Sequence, residues 1–221
     1  MNQINLKYQL IKIPDKLYIW LIPKLLPIKS VSNEEIIASQ KLSNSRAKEF
    51  LYSRGYVRYF LSKLFLIDPL KIPLEAPNNE KPLLRDNLGY VSWSNCKDGL
   101  LIGWARNLIG VDIEKKDRFF DARQINNRFF NNEEKEIYNK MDGEVLRSQI
   151  LKVWVLKEAT IKCINGKLIP DLGNIIIKEN LKKALYRPNQ SEFNLSLIEY
   201  EKWLIGIALK EDLIELNKMN I

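Results

Sequence analysis

The sequence contains no histidine, only two cysteines and no long apolar run. Without imidazole, histidine-based catalytic dyads, histidine metal clusters and imidazole acid–base chemistry are excluded. Cys96 and Cys163 lie far apart, and neither has the closely spaced second cysteine of a zinc site or a disulfide framework. Chemistry at a site is therefore expected from carboxylates, lysine or an oxygen-bound metal.

The apolar runs are too short for a membrane span. Residues 100–102 form a typical run, whereas a spanning helix needs about 18 consecutive apolar residues. The first residues lack the basic segment followed by an apolar segment that is typical of a secretory leader. We expect a cytoplasmic protein that binds no membrane.

The composition is that of a globular protein, with 221 residues of which 46% are hydrophobic. This length suits one large domain or two small ones. The 35 basic residues outnumber the 27 acidic ones and give a formal net charge of +8. The charge favours an anionic partner, which could be a nucleic acid, a phosphorylated cofactor, a membrane surface or an acidic protein.

The spacing of apolar residues predicts an α+β fold with antiparallel strands. Helices are predicted for residues 45–65, 121–130, 132–141 and 144–163, and strands within 6–22 and at 90–94, 100–105, 108–114, 175–178, 193–200 and 203–209. A turn at residues 106–107 is predicted to join the strands on either side of it as a hairpin. Because each half has a long helix followed by paired strands, we expect two similar subdomains in a pseudo-dimer, residues 1–107 and 108–221, each a long helix packed on a small antiparallel sheet.

Two carboxylates interrupt an otherwise apolar strand. Asp112 and Glu114 are two residues apart, so in a strand they point to the same face. Two like charges on a buried face are costly unless a cation neutralises them, and oxygen ligands of this kind suit Mg²⁺. The alternative interpretation is an ordinary strand end.

A second charged group lies on the predicted helix 144–163. Glu158 and Lys162 are four residues apart and share a helix face. Taken alone, this spacing is more typical of a solvated ion pair.

Together these segments resemble the signature of the Sfp-type 4'-phosphopantetheinyl transferase family, (I/V)-G-(I/V)-D followed by (F/W)-(S/C/T)-x-K-E-(S/A)-x-x-K. Residues 109–112 match the first part and residues 154–162 the second, with Val155 in place of the small hydroxyl or thiol residue. Residues 53–58 and 128–134 resemble further segments of the family. The likeness extends over residues 46–168.

Two positions depart from the family pattern. Glu80 replaces the glycine of the family's G-K-P loop, which corresponds to residues 79–82, and Trp93 replaces the histidine of its N-x-S-H-S segment. In the family that histidine helps to hold the nucleotide end of coenzyme A. An indole can stack or donate one hydrogen bond but carries no positive charge.

The resemblance implies a reaction and a set of catalytic roles. The reaction is Mg²⁺-dependent transfer of 4'-phosphopantetheine from coenzyme A to a serine of an apo acyl or peptidyl carrier protein, as in fatty acid biosynthesis, with release of adenosine 3',5'-bisphosphate. Asp112, Glu114 and Glu158 match the metal-binding acids. Glu158 is also the expected base for the serine hydroxyl, Lys162 is expected to stabilise phosphate charge, and Lys157 is a weaker candidate for that role.

The same resemblance implies where coenzyme A binds. Arg54, Lys81, Ser92, Trp93 and Lys157 are the expected coenzyme A-binding residues, in a cleft between the subdomains. Carrier proteins are generally acidic near their serine, so the basic excess would steer both substrates to the enzyme. We expect a monomer that does not bind nucleic acid.

Two other functions fit parts of the pattern. A basic nucleic-acid-binding protein without enzymatic activity would explain the net charge but not the acids on the strand. A family member that binds coenzyme A but has lost activity would explain Trp93. The identity of the carrier protein and its pathway is not encoded in these motifs.

Overall fold

The computed structural model describes residues 9–13, 17–77, 80–178 and 180–210. Within them the chain forms the predicted α+β fold with antiparallel sheets. The helices are α1 (Asn33–Ser39), α2 (Asn44–Phe65), α3 (Ala122–Phe129), α4 (Asn132–Tyr138), α5 (Gly143–Ile164) and α6 (Leu168–Leu172). The strands are β1 (Gln9–Ile13), β2 (Leu17–Pro23), β3 (Leu74–Glu75), β4 (Leu83–Leu84), β5 (Tyr90–Cys96), β6 (Gly99–Ala105), β7 (Ile109–Lys115), β8 (Ile175–Lys178), β9 (Lys183–Tyr186), β10 (Ser191–Tyr200) and β11 (Trp203–Leu209). Residues 6–8 of the first predicted strand, loop residue 79 and the outer ends of both predicted subdomains lie outside the described residues.

The N-terminal half is a four-stranded sheet covered on one face by α2. The strand order is β1-β2-β6-β5, and β3 pairs with β4 in a separate ribbon. Aromatic side chains join helix and sheet, with the rings of Trp20 and Phe60 stacked 5.1 Å apart. The helix ends at Leu66, which adopts a left-handed conformation, shortly before Asp68 and Pro69. Residues that bury aromatic rings at helical spacing therefore fix α2 on this sheet.

The C-terminal half repeats this plan with a five-stranded sheet. Its order is β7-β11-β10-β9-β8, and α5 packs on one face through residues such as Val153, Leu156 and Ala159. Both α2 and α5 contain 22 residues. Each half is thus a long helix on an antiparallel sheet.

The two sheets pack against each other with their remaining faces. Ile19 and Leu101 of the first sheet share a buried cluster with Val111, Ile113 and Ile205 of the second. The order of layers is therefore helix, sheet, sheet, helix.

The predicted hairpin across residues 106–107 is wrong. Strand β6 pairs with β2 and β5, whereas β7 pairs with β11 in the other sheet. The chain leaves one sheet at the end of β6 and enters the other, because both strands are apolar enough to lie in the interface between sheets. The hairpin partner of β6 is β5, and residues 201–202 join β10 to β11.

The long helices combine buried faces with charged ones. In α2 the apolar residues alternate with several lysines and arginines, and in α5 charged residues recur along the helix. In the part of the chain that the structure describes, no helix is both long and apolar enough to cross a lipid bilayer.

Candidate active site

A cavity of about 640 Å³ opens between the two halves of the chain. Both halves contribute to its wall. From the N-terminal half come Arg54, Pro77, Glu80, Lys81, Pro82, Val91, Ser92 and Trp93, and from the C-terminal half Glu158, Ile161, Lys162, Asn165, Gly166, Lys167 and Leu168. The cavity therefore collects most of the predicted site residues.

The alternation of β7 places both strand carboxylates towards α5. Ile109, Val111 and Ile113 point into the interface between the sheets. The residues between them face the opposite way, so Asp112 and Glu114 are directed to the helix. The predicted shared face of the two carboxylates is the face that α5 covers.

A matching stripe on α5 meets this face. Glu158 and Lys162 are one turn apart, and Val155, Ala159 and Cys163 complete the spacing of three and four residues along the same side. Asp112, Lys162 and Glu158 are thereby brought to one place from two elements of secondary structure.

Gly110 allows the strand and the helix to lie in close backbone contact. A Cβ atom at position 110 would lie 1.9 Å from the carbonyl oxygen of Ala159 and 2.5 Å from the amide nitrogen of Cys163. Only glycine leaves room for the backbone of α5 to approach β7 so closely. The glycine of the I-G-V-D segment is therefore a packing residue of the site.

Asp112 is the most deeply placed acid, with a side chain that is 3% exposed. Its Oδ1 atom accepts hydrogen bonds from Ser94 Oγ at 2.6 Å and from Lys162 Nζ at 2.7 Å. Lys162 also donates to Ser94 Oγ at 2.7 Å. The second carboxylate oxygen, Oδ2, is buried and has no hydrogen-bond partner among the described residues. A buried anionic oxygen without a partner is costly and marks a place where a cation or a donor is missing.

Glu158 lies at the cavity wall and carries an unusual proton affinity. Burial raises its pKa to about 7, and the negative charges of Asp112 and Glu114 add to this effect. The positive charges of Lys162 and Arg118 oppose it. The influence of these four charges shows that the site is one electrostatic cluster, and a carboxyl with a pKa near neutrality is suited to proton transfer.

Glu114 is held by a neighbouring arginine. Its Oε1 accepts a short hydrogen bond from Arg118 Nη1, and the side chain is 19% exposed. Burial raises the pKa of Glu114, while Arg118 and Lys162 act in the opposite direction. This carboxylate is therefore near the other two acids but is engaged in an ion pair.

The acids have the right ligand chemistry for a divalent cation, but they are not grouped closely around one point. Carboxylate oxygens are hard ligands that suit Mg²⁺, and Asp112 Oδ2 is an unused buried ligand. Among the described residues, however, no three histidine, cysteine, aspartate or glutamate side chains are grouped so that they could hold an ion as they stand. Asp112 and Glu158 offer oxygen ligands of the right chemical kind, whereas Glu114 is engaged by Arg118.

Lys157 does not reach the cavity. Its side chain is completely buried, and Nζ donates to Glu134 Oε2 at 2.6 Å and to the Leu172 carbonyl at 3.0 Å. Adjacent helix residues point about 100° apart, so Lys157 faces α4 and α6 while Glu158 faces β7. The expectation that Lys157 contacts phosphate is therefore replaced by a structural role in joining three helices.

Arg54 is a buried cation in the wall of the cavity. Its guanidinium lies 3.3 Å above the centre of the Phe50 ring and 5.6 Å from that of Trp93. It donates hydrogen bonds to the carbonyls of Ala76 and Pro77. Burial lowers the pKa of Arg54 to about 10, which leaves it charged at neutral pH. Its hydrogen bonds all go to neutral carbonyls, so its charge remains available to an anion in the cavity.

Lys81, Ser92 and Trp93 complete the predicted wall. Lys81 Nζ donates to the Cys163 carbonyl at 3.2 Å and so links the two halves of the chain, and burial lowers its pKa. Ser92 Oγ accepts a hydrogen bond from the Val111 amide at 3.2 Å. Trp93 is half-buried beside Arg54. Lys81 and Trp93 present a cation and an aromatic surface to a ligand, whereas Ser92 serves mainly to join β5 to β7.

Comparison with known proteins finds similarity to one superfamily. The family model for the 4'-phosphopantetheinyl transferase superfamily matches residues 108–211. The matched segment is similar to members of this superfamily. A protein of Synechocystis sp., provisionally named as a 4'-phosphopantetheinyl transferase, is 25% identical over 186 residues, which cover 80% of this chain and 76% of that protein. The resemblance inferred from the motifs is thus confirmed at the level of the superfamily.

The site contains two residues that the sequence analysis did not predict. Ser94 bridges Asp112 and Lys162. Ser92 and Ser94 are two residues apart in β5, so the strand period places both side chains on the face towards β7. This spacing could have indicated Ser94. Arg118 was not predicted at the site, yet it binds Glu114. The spacing of four residues between Glu114 and Arg118 predicts a contact only within a helix. Here β7 ends between the two residues, so the spacing did not indicate that they meet.

Proposed function

We propose that the protein transfers 4'-phosphopantetheine from coenzyme A to a serine hydroxyl of an apo acyl or peptidyl carrier protein and releases adenosine 3',5'-bisphosphate. The superfamily match supports this class of reaction. The observation that carries the proposal is the group formed by Lys162, Ser94 and Asp112 beside Glu158 at the cavity wall. It places a cation, a proton acceptor and an unused buried carboxylate oxygen at one point.

Asp112 and Glu158, with Glu114, are the proposed ligands of Mg²⁺. When bound, the ion would neutralise charge on the diphosphate of coenzyme A and on the leaving group. The unpartnered Oδ2 of Asp112 supports this assignment. Hydrogen bonds from Ser94 and Lys162 to Oδ1 orient the carboxylate so that Oδ2 remains free.

Lys162 is the proposed contact for the transferring phosphate. Its Nζ is held by Ser94 and Asp112, and its side chain is 30% exposed towards the cavity. A fixed ammonium group beside the diphosphate stabilises the negative charge that shifts towards the leaving group. Lys162 therefore acts on the phosphate, while Lys157 does not.

Glu158 is the proposed base, directly or through one water molecule. The carrier serine Oγ forms a bond to the phosphorus that bears the pantetheine group, and its proton passes to Glu158. The bond from that phosphorus to the bridging oxygen breaks, and the electron pair stays on adenosine 3',5'-bisphosphate.

Arg54, Lys81 and Trp93 are the proposed contacts for the nucleotide end of coenzyme A. The guanidinium of Arg54 suits the 3'-phosphate, because it is buried and forms its hydrogen bonds with neutral carbonyls. Lys81 lines the same cavity next to Pro82. Trp93 offers a flat surface beside Arg54 in place of a second cation.

We further propose that residues 1–107 and 108–221 are related subdomains of a pseudo-dimer with coenzyme A in the cleft between them. Two helix-on-sheet halves of similar plan support this relation. Because both halves already lie in one chain, the proposed state is a cytoplasmic monomer with coenzyme A and a carrier protein as its partners and no nucleic acid.

The test is a transfer assay on intact carrier proteins. Purified protein is incubated with coenzyme A, Mg²⁺ and a panel of apo acyl and peptidyl carriers, and carrier mass is followed. The proposal predicts the gain of one phosphopantetheine group on at least one carrier. Glu158→Gln, which keeps the size of the side chain, should abolish the gain. A panel without any gain would favour a coenzyme A-binding protein without activity, and turnover by Glu158→Gln at the wild-type rate would remove Glu158 from both of its roles.

A further inference from the structure

The acid cluster, which consists of Asp112, Glu114 and Glu158, also contains two side-chain cations. Lys162 binds Asp112 at 2.7 Å, and Arg118 binds Glu114. Both cations also influence Glu158. Two side-chain cations thus face three carboxylates.

These two cations differ in how they affect ligands for a metal. Lys162 occupies only Oδ1 of Asp112, and Oδ2 remains without a partner among the described residues. Arg118, by contrast, forms an ion pair with Glu114 itself. A divalent ion that uses Glu114 must therefore displace Arg118, since a guanidinium and a metal ion compete for the same oxygens and repel each other.

The surroundings of Arg118 allow its side chain to move while its backbone stays fixed. Arg147 Nη1 donates hydrogen bonds to the carbonyls of Lys116 at 2.8 Å and of Arg118 at 3.0 Å. The guanidinium lies 5.8 Å from the ring centre of Phe120, and the side chain is 38% exposed. Rotation of this side chain into solvent requires no change in the chain around it.

We propose that Arg118 is a built-in counter-ion that holds Glu114 in the metal-free protein and gives it up when a divalent cation binds. The inference rests on the proposed function, because it takes the acid cluster to be a metal site. It assigns Arg118 as a positioning residue that sets the affinity for the metal. It also accounts for the absence of a preformed group of three acids among the described residues.

The experiment measures metal binding to the full-length protein without coenzyme A. Titration with Mn²⁺, followed by the electron paramagnetic resonance of the free ion, gives the dissociation constant directly. Arg118→Gln should bind Mn²⁺ about fivefold more tightly than wild type. In wild type the metal must first break the partly exposed ion pair between Arg118 and Glu114, and the free energy of such a pair corresponds to a change in affinity of about this size. Arg118→Lys keeps the charge and should remain close to wild type.

A matched control removes a positive charge elsewhere. Arg123 is paired with Asp142 on the surface, away from the acid cluster, so Arg123→Gln should leave Mn²⁺ affinity unchanged. The gain in melting temperature on addition of Mg²⁺ should be larger for Arg118→Gln than for wild type. Melting in EDTA shows that each variant is folded.

The outcomes separate this inference from the proposed function. Unchanged or weaker Mn²⁺ binding by Arg118→Gln, in a protein that still modifies a carrier, would overturn the counter-ion role alone. Wild-type protein that neither binds Mn²⁺ nor modifies any carrier would overturn both. Tighter binding by Arg118→Gln and by Arg123→Gln alike would reduce the effect to net charge and would also contradict the inference.

Discussion

Lys157 and Lys162 lie on the same helix, and each ammonium group binds one carboxylate. The Nζ–oxygen distances are 2.6 Å to Glu134 and 2.7 Å to Asp112. Their surroundings differ completely. Lys157 is fully buried among α4, α5 and α6, whereas Lys162 is 30% exposed at the wall of the cavity.

The difference shows how one short motif serves two purposes. On the side of α5 that faces β7, charged groups surround a cavity and one buried oxygen of Asp112 is left unused. On the other side, the Lys157 ammonium is satisfied by Glu134 and a carbonyl and lies 4.6 Å from the ring centre of Phe130. We interpret the first side as catalytic and the second as the support that fixes its position.

The largest expected effect is a loss of stability caused by a substitution on the supporting side of α5. Lys157→Met should lower the free energy of unfolding by about 3–5 kcal/mol, since it leaves Glu134 buried without its cation. The double variant Lys157→Met/Glu134→Leu should recover most of this loss and keep the wild-type turnover number. Urea unfolding and the carrier assay measure the two quantities. A stable Lys157→Met protein without turnover would instead place Lys157 on the substrate.

The next effect concerns the catalytic side. Lys162→Ala should lower turnover at least about a hundredfold, which is the usual cost of removing one group that stabilises developing charge. Lys152→Ala is the matched control, because Lys152 is on the same helix but pairs with Glu199 outside the cavity. Initial rates of carrier modification provide the measurement. Equal rates for the two variants would refute the division between the sides of α5.

The close contact between β7 and α5 provides a sharper test of geometry. Gly110→Ala should destabilise the protein by about 2–3 kcal/mol and lower turnover, since the new methyl group would overlap the Ala159 carbonyl. Gly173→Ala is the control, because a Cβ there would meet, among the described residues beyond its chain neighbours, only the Phe129 carbonyl oxygen within 4 Å, at 3.7 Å. Thermal unfolding compares the two variants, and equal melting temperatures would show that α5 can shift freely.

The smallest expected effect is a pH-dependent change in stability caused by Glu158. Folding raises the pKa of this carboxyl from its ordinary value of 4.5 to about 7, so the folded protein binds the proton more tightly than the unfolded chain. Stability is therefore lost as pH rises from about 4.5 to 7. In EDTA at pH 8, Glu158→Gln should be more stable than wild type by about 1–3 kcal/mol, and at pH 4 the two should be equal. Unfolding in urea at both pH values tests this, and equal stability at pH 8 would contradict the buried acid cluster.

Much of the catalytic side could be predicted from local periodicity. The two-residue repeat of a strand puts Asp112 and Glu114 on one face, and the spacing of four in a helix pairs Glu158 with Lys162. Both rules depend only on backbone geometry. The same geometry separates Lys157 from Glu158, but membership of one motif suggested that both contact the ligand.

The remaining errors concern contacts between distant elements. The hairpin between β6 and β7 was predicted from a short connection, yet the apolar face of each strand is buried by the opposite sheet. The ion pair between Arg118 and Glu114 depends on the path of the chain after β7, which no repeat specifies. Which acids are free to bind a ligand is therefore a property of tertiary structure.

The central claim is that Asp112 and Glu158 meet at a divalent cation beside the diphosphate of coenzyme A. Crystals grown with coenzyme A and Mn²⁺ test it directly, because Mn²⁺ gives an anomalous signal that locates the ion. We predict one strong peak within bonding distance of Asp112 Oδ2 and a Glu158 carboxylate oxygen, with the diphosphate next to Lys162. Coenzyme A bound in the cavity with no peak at these carboxylates, or a peak at another part of the molecule, would contradict the account.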